Sequence, residues 1–341
     1  MSNNLIRLPF FLLTLLPLMM AGEAQHPLLK DSTWSPLKLS CSYFNLIRSP
    51  GEYELWLTSP GDEEDRLLAY EGGNLLTLKP TRKSLSSSVV KNYDNHPTRS
   101  SPVLSRASVI RLADGRYGAL AVIGPQDNGE SSELIPTLFV SPNANRRSWT
   151  HLGTPLGEPK AWLDEQLRQK KLVRSEGGSL ALTPEGKLRM YIHGYGTKVC
   201  MAEADHIDGS WAFFRDKNGT IVDLAKPMLA GGQWLFPHVT RLGKGYLLTG
   251  GKSFPTRQLW AAVSRDGKSF SYAGGIEAPL LRPGGVTQKE PGFKILRSMF
   301  DSKTREVILL ANLWTGQGYD IYGTRVPYFK DDWFQKTKPL R

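Results

Sequence analysis

The chain is poor in cysteine and in metal-ligand spacing. It has two cysteines, Cys41 and Cys200, and six histidines among 341 residues. No CxxC or HExxH string occurs, and His193 and His206 stand apart. These absences exclude the usual structural zinc sites and the helical zinc-protease motif. Two cysteines in an exported chain allow one disulfide or two buried thiols, and the sequence leaves both open. Long apolar runs are also missing beyond the N-terminus. Residues 8–20 are largely apolar, Arg7 is the one charge before them, and Gly22 and Ala24 put small residues at the −3 and −1 positions of a cleavage site. This pattern predicts a secretory signal peptide over residues 1–24 and a secreted or periplasmic mature chain of residues 25–341, read as one domain. No cysteine at the cleavage site offers a lipid anchor, and no span crosses a membrane in the mature chain. Negative charge is the minority: 32 Asp and Glu against 43 Lys and Arg leave a formal net charge of +11. Arg7 and Glu23 cancel, so removing the leader does not change it. A basic exported protein favours anionic polysaccharide or a charged cell envelope. Basic runs interleaved with aromatics are absent, which argues against nucleic acid as a partner.

What the chain does have is repetition. Residues 108–124 (SVIRLADGRYGALAVIG), 179–194 (SLALTPEGKLRMYIHG), 238–251 (HVTRLGKGYLLTGG) and 295–313 (ILRSMFDSKTREVILLANL) share an apolar strand, a polar turn and a second apolar strand. The turns Asp114-Gly115, Glu185-Gly186 and Gly243-Lys244-Gly245 suit hairpins. After each hairpin comes a third apolar strand, a small turn and an aromatic: Leu138 to Trp149, Val199 to Trp211, Leu259 to Phe270 and Ile321 to Trp333. The aromatic is expected to pack between neighbouring sheets. Four strands recurring about every 60 residues predict an all-β chain, a five-bladed β-propeller of four-stranded antiparallel blades. The fifth blade is N-terminal: Tyr53 to Pro60 matches the third-strand unit, with residues 38–46 as an earlier strand. Six short blades are the alternative. Residues 84–102 read as a long connecting loop, and residues 159–173 (PKAWLDEQLRQKKLV) have helical spacing. The turn Ser264-Arg265-Asp266-Gly267-Lys268-Ser269-Phe270 resembles the structural Asp-box turn on the outside of sialidase blades.

Glu176 stands at the head of a repeated inner strand, in Arg174-Ser175-Glu176-Gly177-Gly178-Ser179. The run from Ser175 to Gly194, followed by VCMAEADHIDGSWAF, resembles the five-bladed propeller glycoside hydrolases of families 43 and 32. In family 43 a Glu-Gly-Pro string opens an inner strand and supplies the general acid, so the resemblance implies that role for Glu176. Gly178 stands where the family has proline. The family's Asp base and Asp modulator lie on inner strands of the two preceding blades, and here Arg106 stands near one such place. Asp31 in the N-terminal region, Asp94 in a loop and Glu290 before the last inner strand are the other carboxylates on offer.

Glycoside hydrolysis commonly uses two carboxyl groups, about 5 Å apart for retention and 6.5–9.5 Å apart for inversion. The acid must hold its proton near neutral pH, by burial or by a like charge. Glu176, Asp94 and Glu290 are therefore the catalytic candidates, and Arg106, His238, Trp234 and Arg297 the substrate-binding candidates. Arg106, Glu176, His238 and the stretch from Glu290 to Arg297 are read as corresponding positions around a polar axial funnel. Arg106 and Arg297 have the fork that suits a carboxylate or sulfate on a sugar, and Trp234 has a ring that suits stacking. Trp162, Trp260 and Trp314 are further aromatics. Each also has a structural reading: an ion pair of Glu176 with Arg174 or Arg106, a satisfied His238 at a blade junction, tryptophans packed between blades. No metal ligand set is readable, no cofactor is implied, and an axial calcium ion would leave no trace in the sequence. The expected activity is hydrolysis of a complex glycan, with anionic glycans included. The alternatives are a propeller that binds glycan or an envelope partner without turnover, and a sialidase-like enzyme, which six blades would favour.

Overall fold

The computed structural model describes residues 33–49, 51–58, 66–90, 102–125, 135–142, 146–154, 175, 177–194, 198–226, 228, 234–251, 258–277, 293–315 and 318–328. Residues 1–24, expected to be a signal peptide, Asp31, Asp94, residues 159–173, expected to be helical, Trp162, Glu176, Glu290 and Trp333 lie outside the described residues.

Five four-stranded antiparallel sheets form a five-bladed propeller. Blade 1 is β2 (Phe44–Ser49), β3 (Glu52–Thr58), β4 (Arg66–Gly72) and β5 (Lys79–Ser86). Blade 2 is β6 (Pro102–Arg111), β7 (Tyr117–Pro125), β8 (Ile135–Ser141) and β9 (Thr150–Gly153). Blade 3 is β10 (Gly178–Leu182), β11 (Leu188–Gly194), β12 (Lys198–Ala204) and β13 (Ala212–Phe213). Blade 4 is β14 (Leu235–Leu242), β15 (Gly245–Gly251), β16 (Gln258–Ser264) and β17 (Ser271–Glu277). Blade 5 is β18 (Phe293–Asp301), β19 (Glu306–Trp314) and β20 (Tyr319–Pro327), and its outer strand comes from the other end of the chain: β1 (Ser35–Ser40) pairs antiparallel with β20. The inner strands touch in the closed order β2, β6, β10, β14, β18 and back to β2.

Two expectations are corrected here. Residues 38–46 are not one strand: β1 ends at Ser40 in blade 5, and β2 starts at Phe44 in blade 1, so Tyr53 sits on a second strand, not a third. The reason is closure. A propeller sheet with a free inner and outer edge at the chain ends is joined by one strand from each terminus, which removes an exposed edge and ties the ring. Residues 84–102 are also not all loop, since Ser84 to Ser86 complete β5, Ser87–Val89 form a 3-10 turn and Pro102 opens β6.

The middle strands are buried on both faces because blades pack against blades. On β19, Val307, Leu309 and Ala311 join a core with blade 4, while the intervening Ile308 and Leu310 join a core with blade 1. The period of two therefore sorts side chains between two inter-blade cores, not between core and solvent. Two of the aromatics after the third strands pack between blades: Trp149 meets Trp56 edge-on at 5.9 Å, and Phe270 meets Tyr191 edge-on at 6.2 Å. The Asp-box-like turn is structural. The Asp266 carboxylate accepts the Lys268 and Ser269 amides at 2.8 Å, while the Asp266 carbonyl accepts from Arg189 and the Gly267 carbonyl from the Tyr191 hydroxyl at 3.0 Å, both of blade 3. Cys41 and Cys200 are both buried and are not joined by a disulfide. Among the described residues no helix is long and apolar enough to cross a membrane.

Candidate functional site

The five inner strands carry one ring of polar side chains at equivalent positions: Asn45, Ser108, Ser179, His238 and Arg297. Asn45 Oδ1 accepts the Val109 amide at 2.9 Å, Ser108 Oγ accepts that of Leu180 at 3.3 Å, and Ser179 Oγ accepts that of Val239 at 2.7 Å. His238 Nδ1 takes the Ser298 amide at a longer 3.4 Å. Arg297 closes the ring by donating to Phe44 O at 3.2 Å and Phe236 O at 2.9 Å. Each link satisfies a buried backbone group at the narrowest part of the fold, where leaving it unpaired costs about 1–3 kcal/mol. The ring has a cross-member as well. Asn45 Nδ2 lies 3.3 Å from His238 Nε2, joining blades 1 and 4, which are not neighbours.

Of the sequence candidates, His238 and Arg297 belong to this ring and are buried. Burial first, and the Arg297 charge second, hold the His238 imidazole well below its ordinary value, so it is neutral. Burial pushes Arg297 down to about 9, and its Nη2 is buried without a hydrogen-bond partner. Trp234 does not present a face to a sugar. It is fully buried, its Nε1 donates to Thr249 O at 3.3 Å, and its ring packs 5.6 Å from Trp260. Trp260 is core too, and Trp314 is exposed against Tyr319.

The ring also corrects the expected correspondence. Two residues before it on each inner strand stand Tyr43, Arg106, Gly177, Phe236 and Ile295, so Arg106 answers to Gly177, not to Glu176. One residue further back, Glu176 answers to Ser42, Ser105, Leu235 and Lys294. Bulges lie between Ser105 and Ser108 and between Leu235 and His238, where Arg106 and Phe236 take left-handed φ of 53°.

Those bulges aim side chains onto the axis. The Arg106 guanidinium lies 4.6 Å over the Tyr43 ring of blade 1 and 5.9 Å from the Phe236 ring of blade 4, across the axis from its own blade. Tyr43 and Phe236 are 5.9 Å apart. Lys294 Nζ lies 4.1 Å over Tyr43 and 4.9 Å over Tyr319. Gly177, with φ of 88°, fits directly against Arg106: a Cβ on it would come within 2.9 Å of the Arg106 Cβ. The result is a mouth at the N-terminal ends of the inner strands, lined by two cations and three aromatics, with the residue after Glu176 in its wall. Of these groups the sequence reading identified only Arg106. Tyr43, Phe236, Lys294 and Tyr319 carry no motif, and only their place relative to the ring could have found them. The groups at the axis do not suit a metal ion. Arg297 puts a buried guanidinium there, and among the described residues no three metal-ligating side chains gather.

No family model and no curated protein matches the chain. Solved structures do. A family 43 β-1,3-galactosidase solved with galactodeoxynojirimycin aligns with a TM-score of 0.58 at 12% identity, over 89% of this chain and 95% of that one. This is the fold of the family 43 glycoside hydrolases. A Bacillus subtilis arabinanase aligns at 0.57 and 12% identity over 86% and 95% of the two chains. An exo-β-1,3-galactanase from Clostridium thermocellum aligns at 0.58 and 13% identity, over 86% of this chain and 60% of that one.

Proposed function

We propose that the protein is an exported glycoside hydrolase acting on a glycan that bears acidic groups, with Glu176 as general acid. The observation that carries this reading is the mouth itself. Gly177, directly after Glu176, packs on Arg106 among Tyr43, Phe236 and Lys294. The half-buried rings of Tyr43 and Tyr319 suit the apolar face of a sugar ring, and a guanidinium suits a sugar carboxylate or sulfate. The unpartnered Nη2 of Arg297 offers one more buried donor. The shared fold with a galactosidase, a galactanase and an arabinanase supports a carbohydrate as substrate. In the mechanism, Glu176 protonates the leaving glycosidic oxygen. As general acid, Glu176 must keep its proton near neutral pH, which burial of a carboxyl favours and a guanidinium beside it opposes. Asp94, Glu290 and Asp31 are the candidate second carboxylates, and the signal-peptide pattern supports an exported location.

A second reading, a propeller that binds glycan without turnover, is favoured by one observation. The positions equivalent to Glu176 are Ser42, Ser105, Leu235 and Lys294, none of them a carboxylate. The deciding experiment screens acidic oligosaccharides, arabinan and β-1,3-galactan for hydrolysis and binding, with wild type, Glu176→Gln, Asp94→Asn and Glu290→Gln. Hydrolysis by wild type, lost in Glu176→Gln while binding remains, supports the enzyme. Binding with no turnover by any form supports the second reading. Full hydrolysis by Glu176→Gln overturns the assignment of the acid.

A further inference from the structure

The other end of the axis holds a second cavity. It encloses about 330 Å³ and is lined by consecutive residues from all five inner strands, Asn45 to Arg48, Val109 to Arg111, Leu180 to Leu182, His238 to Arg241 and Ser298 to Phe300. Its inner wall includes Asn45 and His238, whose hydrogen bond crosses the axis. Three residues beyond the polar ring, the five strands present Arg48, Arg111, Leu182, Arg241 and Phe300. Three of five equivalent positions are therefore arginine. They lie five residues from the level of Arg106, about 16 Å along a strand, so this is not the mouth described above.

No lining residue of this cavity is a carboxylate. Arg111 and Arg241 are exposed, and Arg241 spends two of its donors on the carbonyls of Gly243 and Thr183. Arg48 is partly buried, with Nε 3.9 Å from Asp301 and the guanidinium 4.1 Å over the Tyr53 ring. Its Nη1 is buried and has no hydrogen-bond partner. A buried N–H donor without a partner is costly unless something accepts from it. Like charges gathered at one cavity repel unless a counter-charge joins them. A tetrahedral oxyanion meets both needs, because its oxygens spread outward and several guanidinium forks can share it.

We propose that Arg48, Arg111 and Arg241 form a second, oxyanion-binding site at the far end of the propeller axis. It takes a phosphate or sulfate group, free or carried on a sugar. The site stands independently of the hydrolase reading.

The test is calorimetric titration of the full chain with inorganic phosphate at constant ionic strength against chloride, with a hexose phosphate titrated in parallel. Saturable binding of one equivalent is expected. Arg111→Ala and Arg241→Ala each weaken it about tenfold, the pair removes it, and Arg106→Ala leaves it in place. Equal affinities assign the site to the free ion. Tighter hexose phosphate assigns it to a group carried on a sugar. Both outcomes support the proposal. Arg111 has an exposed side chain, so Arg111→Ala decides alone should Arg241→Ala fail to fold. Binding no better than chloride overturns the proposal, as does binding lost in Arg106→Ala and kept in the Arg111 and Arg241 variants.

Discussion

Replacing Gly177 by alanine tests the wall of the upper mouth directly. Gly177 has φ of 88°, a conformation that costs an L-residue about 1–2 kcal/mol. The new Cβ would also meet the Arg106 Cβ at 2.9 Å, its carbonyl oxygen at 3.4 Å and its Cδ at 3.5 Å. The nearest of these atoms is fixed to the backbone, so a rotamer change cannot relieve it, and overpacking of this kind costs about 1–3 kcal/mol. Gly177→Ala should therefore lose about 2–5 kcal/mol. Gly115 provides the internal control: its φ is 85°, and a Cβ there meets nothing within 4 Å. Gly115→Ala should show only the conformational cost, about 1–2 kcal/mol. The assay is equilibrium unfolding in guanidinium chloride, with the two variants compared at equal m-value. An Arg106→Gly background removes the obstructing Cβ at a position whose left-handed φ suits glycine, so there the excess at Gly177 should vanish. Equal losses at Gly177 and Gly115, within about 0.5 kcal/mol, would refute the close approach of Gly177 to Arg106.

Two further outcomes follow from the ring and the thiols. His238 is held well below its ordinary value of 6.5, so below pH 6.5 the unfolded chain binds a proton that the folded chain does not. Stability should therefore be complete above that pH and fall by about 1.4 kcal/mol per unit as the pH drops towards the folded value. Unfolding titrations from pH 7.5 to 5 should show a flatter slope in His238→Asn, and an unchanged slope would contradict a buried neutral imidazole. Cys41 and Cys200 should give two thiols by colorimetric titration in denaturant and almost none in the native protein, since burial raises the Cys41 thiol. A mass two hydrogens lower in the oxidised chain, reversed by reductant, would show a disulfide instead.

The blades were legible because their signal is local and repeated: an apolar strand, a tight turn and an apolar strand carry the same pattern wherever they occur. Ring closure was not legible. The alternation in Ser35–Ser40 says only that one face is buried, and nothing local distinguishes pairing with β2 from pairing with β20 at the far end of the chain. The site was partly legible for a related reason. Glu176 and Arg106 stand out by charge and motif, but they align only when counted from Ser179 and Ser108, ring residues whose role carries no motif. That count puts Arg106 at the place of Gly177, not of Glu176. Trp234 was misread because a tryptophan beside glycines suits a ligand platform and a blade core equally well, and only burial separates the two.

The polar ring explains why residues of such different chemistry stand at one level of the axis. Asn45, His238, Arg297 and the serines Ser108 and Ser179 bring four side-chain types, yet each binds the backbone of an adjacent inner strand. The shared requirement is one hydrogen bond of fixed direction, and amide, hydroxyl, imidazole and guanidinium all supply it. Polarity at this level is therefore evidence for blade assembly before it is evidence for chemistry. Function is better sought at the levels that the ring does not need. Above it, the residues are Arg106, Phe236 and Lys294. Below it, they are Arg48, Arg111 and Arg241. At both levels the side chains exceed what blade packing asks for, and at both the excess is positive charge. An axis closed in its middle and cationic at both ends keeps its two cationic clusters apart, so either can be changed without breaking the ring between them.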